Sequence, residues 1–176
     1  MTLDMRWLWT CRPPVQPKHL GNNDLFLFKM NLDISLVPYG KISYLIPHLV
    51  RYLNESESWA MGRANIDDIV RFALTGQMQL WAVYDQNTDE IHGFVMTEIK
   101  SYPQKKMFVV QYCAMTPNHM KHIEDKMHEM ADGFAKDMDC HGIEFFGRPG
   151  WEPHVKKRGY TVKTVVYEKH FDEVTQ

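Results

Sequence analysis

The order of strand-like and helix-like patterns constrains the fold of this chain more than any other feature of its sequence. Three segments rich in β-forming residues, at 78–84, 91–99 and 107–115, follow one another, and helical stripes of apolar residues precede and follow them. The full order is strand, helix, helix, three strands, helix, strand, helix, strand. Because this order combines hairpins with strand–helix–strand connections, it predicts an α/β fold with a mixed sheet and helices on both faces.

Two helical segments precede the three strands. The first carries apolar residues at helical spacing over 42–53, and Pro47 fits its first turn if Ser43 caps the helix. The second begins at Asn65 and Asp68, which form a cap-like pair. A short strand over 34–37 is predicted before both helices.

The longest predicted helix begins near residues 117–118, and its apolar stripe places methionines in the core. The chain holds 12 Met, and unbranched Met side chains often fill gaps between packed elements. The stripe consists of Ile123, Met127, Met130, Phe134 and Met138. After this helix we predict a strand over 143–146, a short helix over 150–157 and a closing strand or bent strand pair over 160–171.

The composition excludes several classes of protein. With 176 residues, 44% hydrophobic and 24% charged, the chain has the size and balance of one globular domain, not of a disordered chain or a fibre. A net charge of −2 disfavours bulk electrostatic binding of a polymer, and no apolar run approaches the ~20 residues of a membrane span. Cys11, Cys113 and Cys140 are widely spaced, which predicts a reducing, intracellular setting and no zinc site.

Residues 1–30 are predicted to form an extended arm in front of a domain over 31–176. The segment Arg-Pro-Pro-Val-Gln-Pro at 12–17 suits neither a regular helix nor a central strand. The residues before it lack the small-residue cleavage site of a signal peptide. The alternatives stay open: the segment is a loosely packed extension, it follows from an upstream start codon with the ordinary domain beginning at Met30, or it is an arm that reaches a neighbouring subunit.

Residues 150–160, Gly-Trp-Glu-Pro-His-Val-Lys-Lys-Arg-Gly-Tyr, carry a resemblance to a known superfamily. This segment resembles the short helix closed by Lys-x-Gly-Phe in the Gcn5-related N-acetyltransferases (GNAT), and the order of elements over about 33–171 is similar as well. The resemblance implies a GNAT-like mixed sheet. It also implies acetyl-CoA as the cosubstrate if the chain is catalytically active, and no cofactor otherwise.

In that superfamily, acetyl-CoA lies where two parallel strands splay apart, which corresponds here to the strands predicted at 107–115 and 143–146. The resemblance places the pantetheine arm along Cys113, Ala114 and Met115. It places the pyrophosphate on the N-terminus of the long helix, where free N–H groups and the helix dipole favour anions. The residues there are Asn118, His119, Met120, Lys121 and His122.

Two features depart from the superfamily's pattern. Its phosphate loop is rich in glycine, but this chain has no glycine over 94–132. Its proton-donating tyrosine corresponds to Val155, so the role of the acid is empty or moves to His154. Glu98 is the candidate base, with Gln111 as its polar partner, although a lone glutamate at a strand end is also explained as a solvated surface residue.

A closer resemblance, carried by Glu-Phe-Phe-Gly-Arg-Pro-Gly-Trp-Glu at 144–152, is to GNAT-like proteins encoded among the virion-assembly genes of tailed phages. It implies a non-catalytic virion protein, structural or internal, found in virions assembled in the host cytoplasm. Its partners would be other virion proteins, or copies of itself bound through the arm, and not a membrane. The alternative is an active cytoplasmic N-acyltransferase that uses acyl-CoA, with its acceptor unassigned.

Two further clusters of side chains have alternative interpretations. A basic cluster near the short helix is either an ordinary charged face or a contact for the 3′-phosphate of CoA, a nucleic acid or an acidic partner. Its members are Arg148, Lys156, Lys157, Arg158 and Lys163. His119, His122 and His128 do not share one side of the predicted helix, so they indicate a solvated face and not a metal site.

Overall fold

The structure is a computed structural model that describes residues 30–60, 62–147, 149–169 and 171. It consists of two compact units, Met1–Phe146 and Gly147–Gln176. The predicted arm over 1–30 lies outside the described residues, apart from Met30. None of the helices in these ranges is both long and apolar enough to cross a membrane.

The first unit contains the strands and the three longer helices. Its strands are β1 (Leu32–Leu36), β2 (Gln79–Asp85), β3 (Ile91–Tyr102), β4 (Lys105–Met115) and β5 (Gly142–Phe145). Its helices are α1 (Ile42–Trp59), preceded by a 3₁₀ turn at Tyr39–Lys41, then α2 (Ile66–Leu74) and α3 (Met120–Asp137). The second unit contains a 3₁₀ turn (Pro149–Trp151) and the short helix α4 (Glu152–Lys156).

The sheet has the strand order β1-β2-β3-β4-β5. The pairs β1–β2, β2–β3 and β3–β4 are antiparallel, and β5 runs parallel to β4. Tight turns join β2 to β3 and β3 to β4, whereas α3 carries the chain back before β5 begins, as a parallel neighbour requires. The predicted α/β fold with a mixed sheet is confirmed.

Each face of the sheet is covered by helices, which creates two cores. The core under α1 and α2 includes Leu45, Leu49, Leu53, Ile69, Phe94 and Met96. The core under α3 includes Trp81, Val83, Val95, Phe108 and Ile123. Strands buried on both faces have near-continuous apolar sequences, as β2 does. Met127 and Met130 pack against the second core as predicted, but Met138 is exposed.

The predicted start of a helix is correct where a side chain caps that helix. The Asn65 side chain accepts from the Asp68 N–H at 2.9 Å, and the Asp68 carboxylate accepts from the Asn65 N–H at 3.2 Å, so the predicted cap is confirmed. The predicted Ser43 cap is wrong. Because the 3₁₀ turn already sets helical geometry, α1 begins at Ile42 and Pro47 lies inside it.

The predicted closing strand over 160–171 is wrong. Residues 160–169 and residue 171 have no regular secondary structure, and the apolar side chains of this segment are exposed. Val165, Val166 and Tyr167 favour strands in isolation. However, β-propensity reflects packing against neighbours on a sheet, and without such neighbours the residues do not order as a strand.

Candidate functional site

The functional candidates lie at an opening on the β5 side of β4. Met107 to Val110 pair with Gly142 to Phe145 in parallel register, and the Phe146 N–H extends the pairing to the Val110 carbonyl at 3.2 Å. Strand β4 then continues to Met115, while β5 has ended. Residues 111–115 lie beyond this ladder, and we call them the open segment of β4 because the pairing with β5 ends before them.

A β-bulge marks the start of this open segment. Met96 of β3 pairs with Tyr112, but the next residue, Thr97, pairs with Val110, so Gln111 is the extra residue. A bulge turns consecutive side chains towards the same face of a sheet. Gln111 Nε2 donates to Glu98 Oε1 at 2.8 Å, and Tyr112 packs against the core under α1 and α2.

The bulge thus creates a polar group on the α1–α2 face. Burial raises the pKa of the Tyr112 phenol, and the negative charges of Asp68 and Glu98 raise it further, while Arg63 acts in the opposite direction. Tyr112 therefore keeps its proton at neutral pH. The hydrogen bond from Arg71, at 2.6 Å, lowers the pKa of the half-buried Asp68 carboxyl, with the Asn65 N–H as a second cause.

The N-terminus of α3 follows directly after the open segment. Asn118 has φ = 66°, a left-handed conformation that asparagine tolerates better than most residues. His119 is the N-cap residue and makes no capping hydrogen bond with its side chain. The His119 N–H donates to the Thr116 carbonyl and the His122 N–H donates to the His119 carbonyl. In the first turn of α3, the Met120 and Lys121 N–H groups are therefore the ones left for an anion. Asparagine here takes the left-handed position for which glycine is the usual residue.

The structure brings most of the predicted site residues together. Ala114 is buried and Cys113 and Met115 are half-buried in the open segment of β4, and residues 118–122 form the turn and helix start that follow. Glu98 lies on the neighbouring strand with the predicted partner Gln111. The catalytic and binding roles of these residues stay predictions.

His154 belongs to the second unit, in α4. Its ring centroid lies 6.2 Å from that of Trp151 in an edge-on arrangement. Within the described ranges, no group of three or more histidine, cysteine, aspartate or glutamate side chains is arranged to hold a metal ion.

Sequence reasoning missed Tyr112 as a member of the site. Strict alternation along β4 would place Gln111 and Tyr112 on opposite faces, and only the bulge unites them. The one available signal was the polar Gln111 within an otherwise β-forming apolar run.

No family model matches this chain, and no curated protein does. Solved structures do match. Glucosamine-6-phosphate N-acetyltransferase from Arabidopsis thaliana is 14% identical with a TM-score of 0.58, over 81% of this chain and 99% of that one. Ribosomal-protein-alanine N-acetyltransferase from Brucella melitensis is 14% identical with a TM-score of 0.56, over 80% and 99%. A GNAT family acetyltransferase from Staphylococcus aureus is 12% identical with a TM-score of 0.56, over 81% and 100%.

The chain has the GNAT fold. At these identities the likeness concerns the fold alone, and the reactions named for those proteins are theirs. The comparisons support the GNAT part of the resemblance seen in the sequence. They do not support its phage part, which stays a prediction. The GNAT fold places the open segment of β4 and the start of α3 side by side, where the resemblance located acetyl-CoA.

Proposed function

We propose that this protein binds acyl-CoA at the opening beside β4 and transfers the acyl group to an amine. The observation that carries the proposal is that residues 111–115 of β4, which lie beyond the end of β5, lead directly into a helix N-terminus that has no side-chain cap. That the chain has the fold of GNAT acetyltransferases does not depend on this proposal.

The residues present fit the two polar parts of CoA. In the proposed complex the backbone of Ala114 and Met115, beyond the end of β5, pairs with the amides of a pantetheine arm as a further strand would, and Cys113 lies beside the arm. The start of α3 offers the Met120 and Lys121 N–H groups and the positive end of the helix dipole to the phosphates. Lys121 is exposed in the first turn of α3 and adds a positive charge. Bound acyl-CoA supplies an activated thioester.

The chain's own side chains have the chemistry that aminolysis of a thioester needs. Glu98 acts as the base that takes a proton from the attacking amine, and the hydrogen bond from Gln111 fixes the orientation of its carboxylate. Tyr112 stays protonated at neutral pH and is our candidate to donate a proton to the leaving thiolate. This assignment replaces the donor that Val155 cannot supply, and the role of His154 as a donor stays a prediction.

Calorimetric titration with acetyl-CoA tests the binding step. We expect a Kd in the micromolar range for the full chain. Lys121→Ala should weaken binding by about threefold to tenfold, because it removes a charge beside the phosphates. Lys136→Ala is the matched control, since Lys136 is equally exposed but lies in the last turn of the same helix. Equal weakening by both variants, or a folded protein that does not bind acetyl-CoA, contradicts the proposal.

A non-catalytic virion protein of a bacteriophage is the second candidate function. It is favoured by His119, which stands where the superfamily's glycines would admit phosphates, and by Val155, which cannot transfer a proton. In this case the partners are other virion proteins or copies of the chain, bound through residues 1–30. For this role we expect the folded protein not to bind acetyl-CoA. We also expect deletion of residues 1–30 to abolish its incorporation into particles. Unchanged incorporation contradicts it.

A further inference from the structure

Two histidines that the proposed reaction does not use are packed together beside α3. His92 lies in β3 and is 9% exposed, and His119 is the N-cap residue of α3. Their ring centroids are 4.8 Å apart with an interplanar angle of 61°. The Nδ1 atom of each ring is buried and has no hydrogen-bond partner in the described part of the chain. An unpaired buried polar atom costs free energy, so this arrangement needs an explanation.

The pair lies at a junction of four elements. The Thr116 N–H, just after β4, donates to the His92 carbonyl at 2.7 Å. The Thr116 hydroxyl also lies 2.8 Å from the Tyr52 hydroxyl of α1. The His119 N–H then donates to the Thr116 carbonyl at 3.2 Å. The two rings therefore connect the start of α3 to β3, close to the contact between Tyr52 of α1 and Thr116.

The surroundings of the pair disfavour a positive charge on His119. Burial lowers the pKa of His119, and the neighbouring His92 and His122 lower it further. Arg51, from α1, acts in the same direction, and only Glu90 opposes it. Glu90 Oε2 lies 3.9 Å from His92 Nε2, but its side chain is 63% exposed, so solvent screens its charge. The dipole at the N-terminus of α3 also opposes a cation.

We propose that the contact between His92 and His119 is a proton-sensitive joint, closed when the His119 ring is neutral and opened at the first turns of α3 when His119 is protonated. The sign follows from linkage. In the open state His119 is solvated and binds a proton below about pH 6.5, the ordinary value for histidine, whereas the closed state resists protonation. The closed state is therefore fully favoured above about pH 6.5 and loses stability as the pH falls below that value. This proposal stands whether or not the protein binds acyl-CoA.

Amide hydrogen exchange of the full chain tests the joint directly. We expect the protection of amides 122–126, corrected for intrinsic exchange, to fall by about threefold or more between about pH 7.5 and about pH 5, while β2 keeps its protection. Ring NMR signals of His119 should titrate below about pH 6.5, the ordinary value for histidine. Unchanged protection, or titration of His119 at or above that value, overturns the proposal.

Substitutions distinguish the effect of protonating His119 from the effect of the packing between the two rings. His119→Phe keeps an aromatic ring against His92 but carries no titrating group, so the protection of amides 122–126 should lose its pH dependence. If that variant does not fold, His92→Phe serves, and it should reduce the pH dependence by removing one partner. His122→Gln is the control on the same helix, and should retain most of the effect, because it removes only a smaller cause of the lowered pKa of His119. A pH dependence that persists in the phenylalanine variants contradicts the joint.

Discussion

The two halves of β4 differ in how they are held, although they belong to one strand. Residues 107–110 pair with β3 on one side and β5 on the other, and all four are buried. Residues 111–115 begin with a bulge at Gln111, pair with β3 from Tyr112 onward, lie beyond the end of β5 and are mostly half-buried. The first half holds the sheet together. The second half is not covered by β5, and it is the half to which we assign a ligand.

The largest effect is expected in the paired half. Phe108 is fully buried and packs against Phe134, with ring centroids 5.5 Å apart. Phe108→Ala should lower the free energy of unfolding by about 3–5 kcal/mol, through lost burial and the cavity it leaves. Urea denaturation measures this loss. Phe171→Ala is the control, because Phe171 is 81% exposed, and it should change stability by less than about 0.5 kcal/mol. Similar losses for both variants would contradict the assigned core.

Substitution in the polar group beside the open half should affect chemistry more than stability. Glu98→Gln keeps a side chain that can bond to Gln111 but cannot act as a base. We expect acyl transfer from acetyl-CoA to primary amines to fall by about 100-fold, equivalent to about 2.7 kcal/mol, while the unfolding free energy changes by less than about 1 kcal/mol.

Glu129→Gln provides the matched control for this loss of base, since Glu129 is exposed on α3. Its rate should equal that of the unmodified protein. A rate for Glu98→Gln within about threefold of the unmodified protein would show that Glu98 is not the base.

The smallest of these effects concerns the contact that holds the open half to β3. Gly93 pairs with Met115, and a Cβ atom at Gly93 would lie 2.5 Å from the Met115 Cβ and 2.6 Å from the Ala114 carbonyl oxygen. Gly93→Ala should therefore displace this end of β4 and lower the unfolding free energy by about 1–3 kcal/mol.

Gly133→Ala gives the opposite expectation. Gly133 lies within α3 with no atom near the added methyl group, so alanine should raise the unfolding free energy by about 0.5–1 kcal/mol. Thermal or urea denaturation distinguishes the two variants by sign. Stabilisation by Gly93→Ala would contradict the close contact between β3 and the open half.

The sequence allowed the paired half to be predicted better than the open half. Periodicity located β2 to β4 and α3, and the Asn65–Asp68 spacing located the start of α2, because these signals are local. The bulge at Gln111 is set by pairing with β3, and the contact between His92 and His119 joins residues 27 positions apart in number. Residues 160–169 show the converse, since local β-propensity is present there but they form no strand.

The most direct test of acyl-CoA binding is an NMR titration of the full chain with acetyl-CoA, followed through backbone amides. The proposal predicts that amides 113–115 and 119–122 shift together with one saturating Kd, while amides 107–110 in the paired half shift little. Shifts confined to other parts of the chain, or no shifts at acetyl-CoA concentrations of about 1 mM, which is the upper range of ordinary substrate constants, would contradict it.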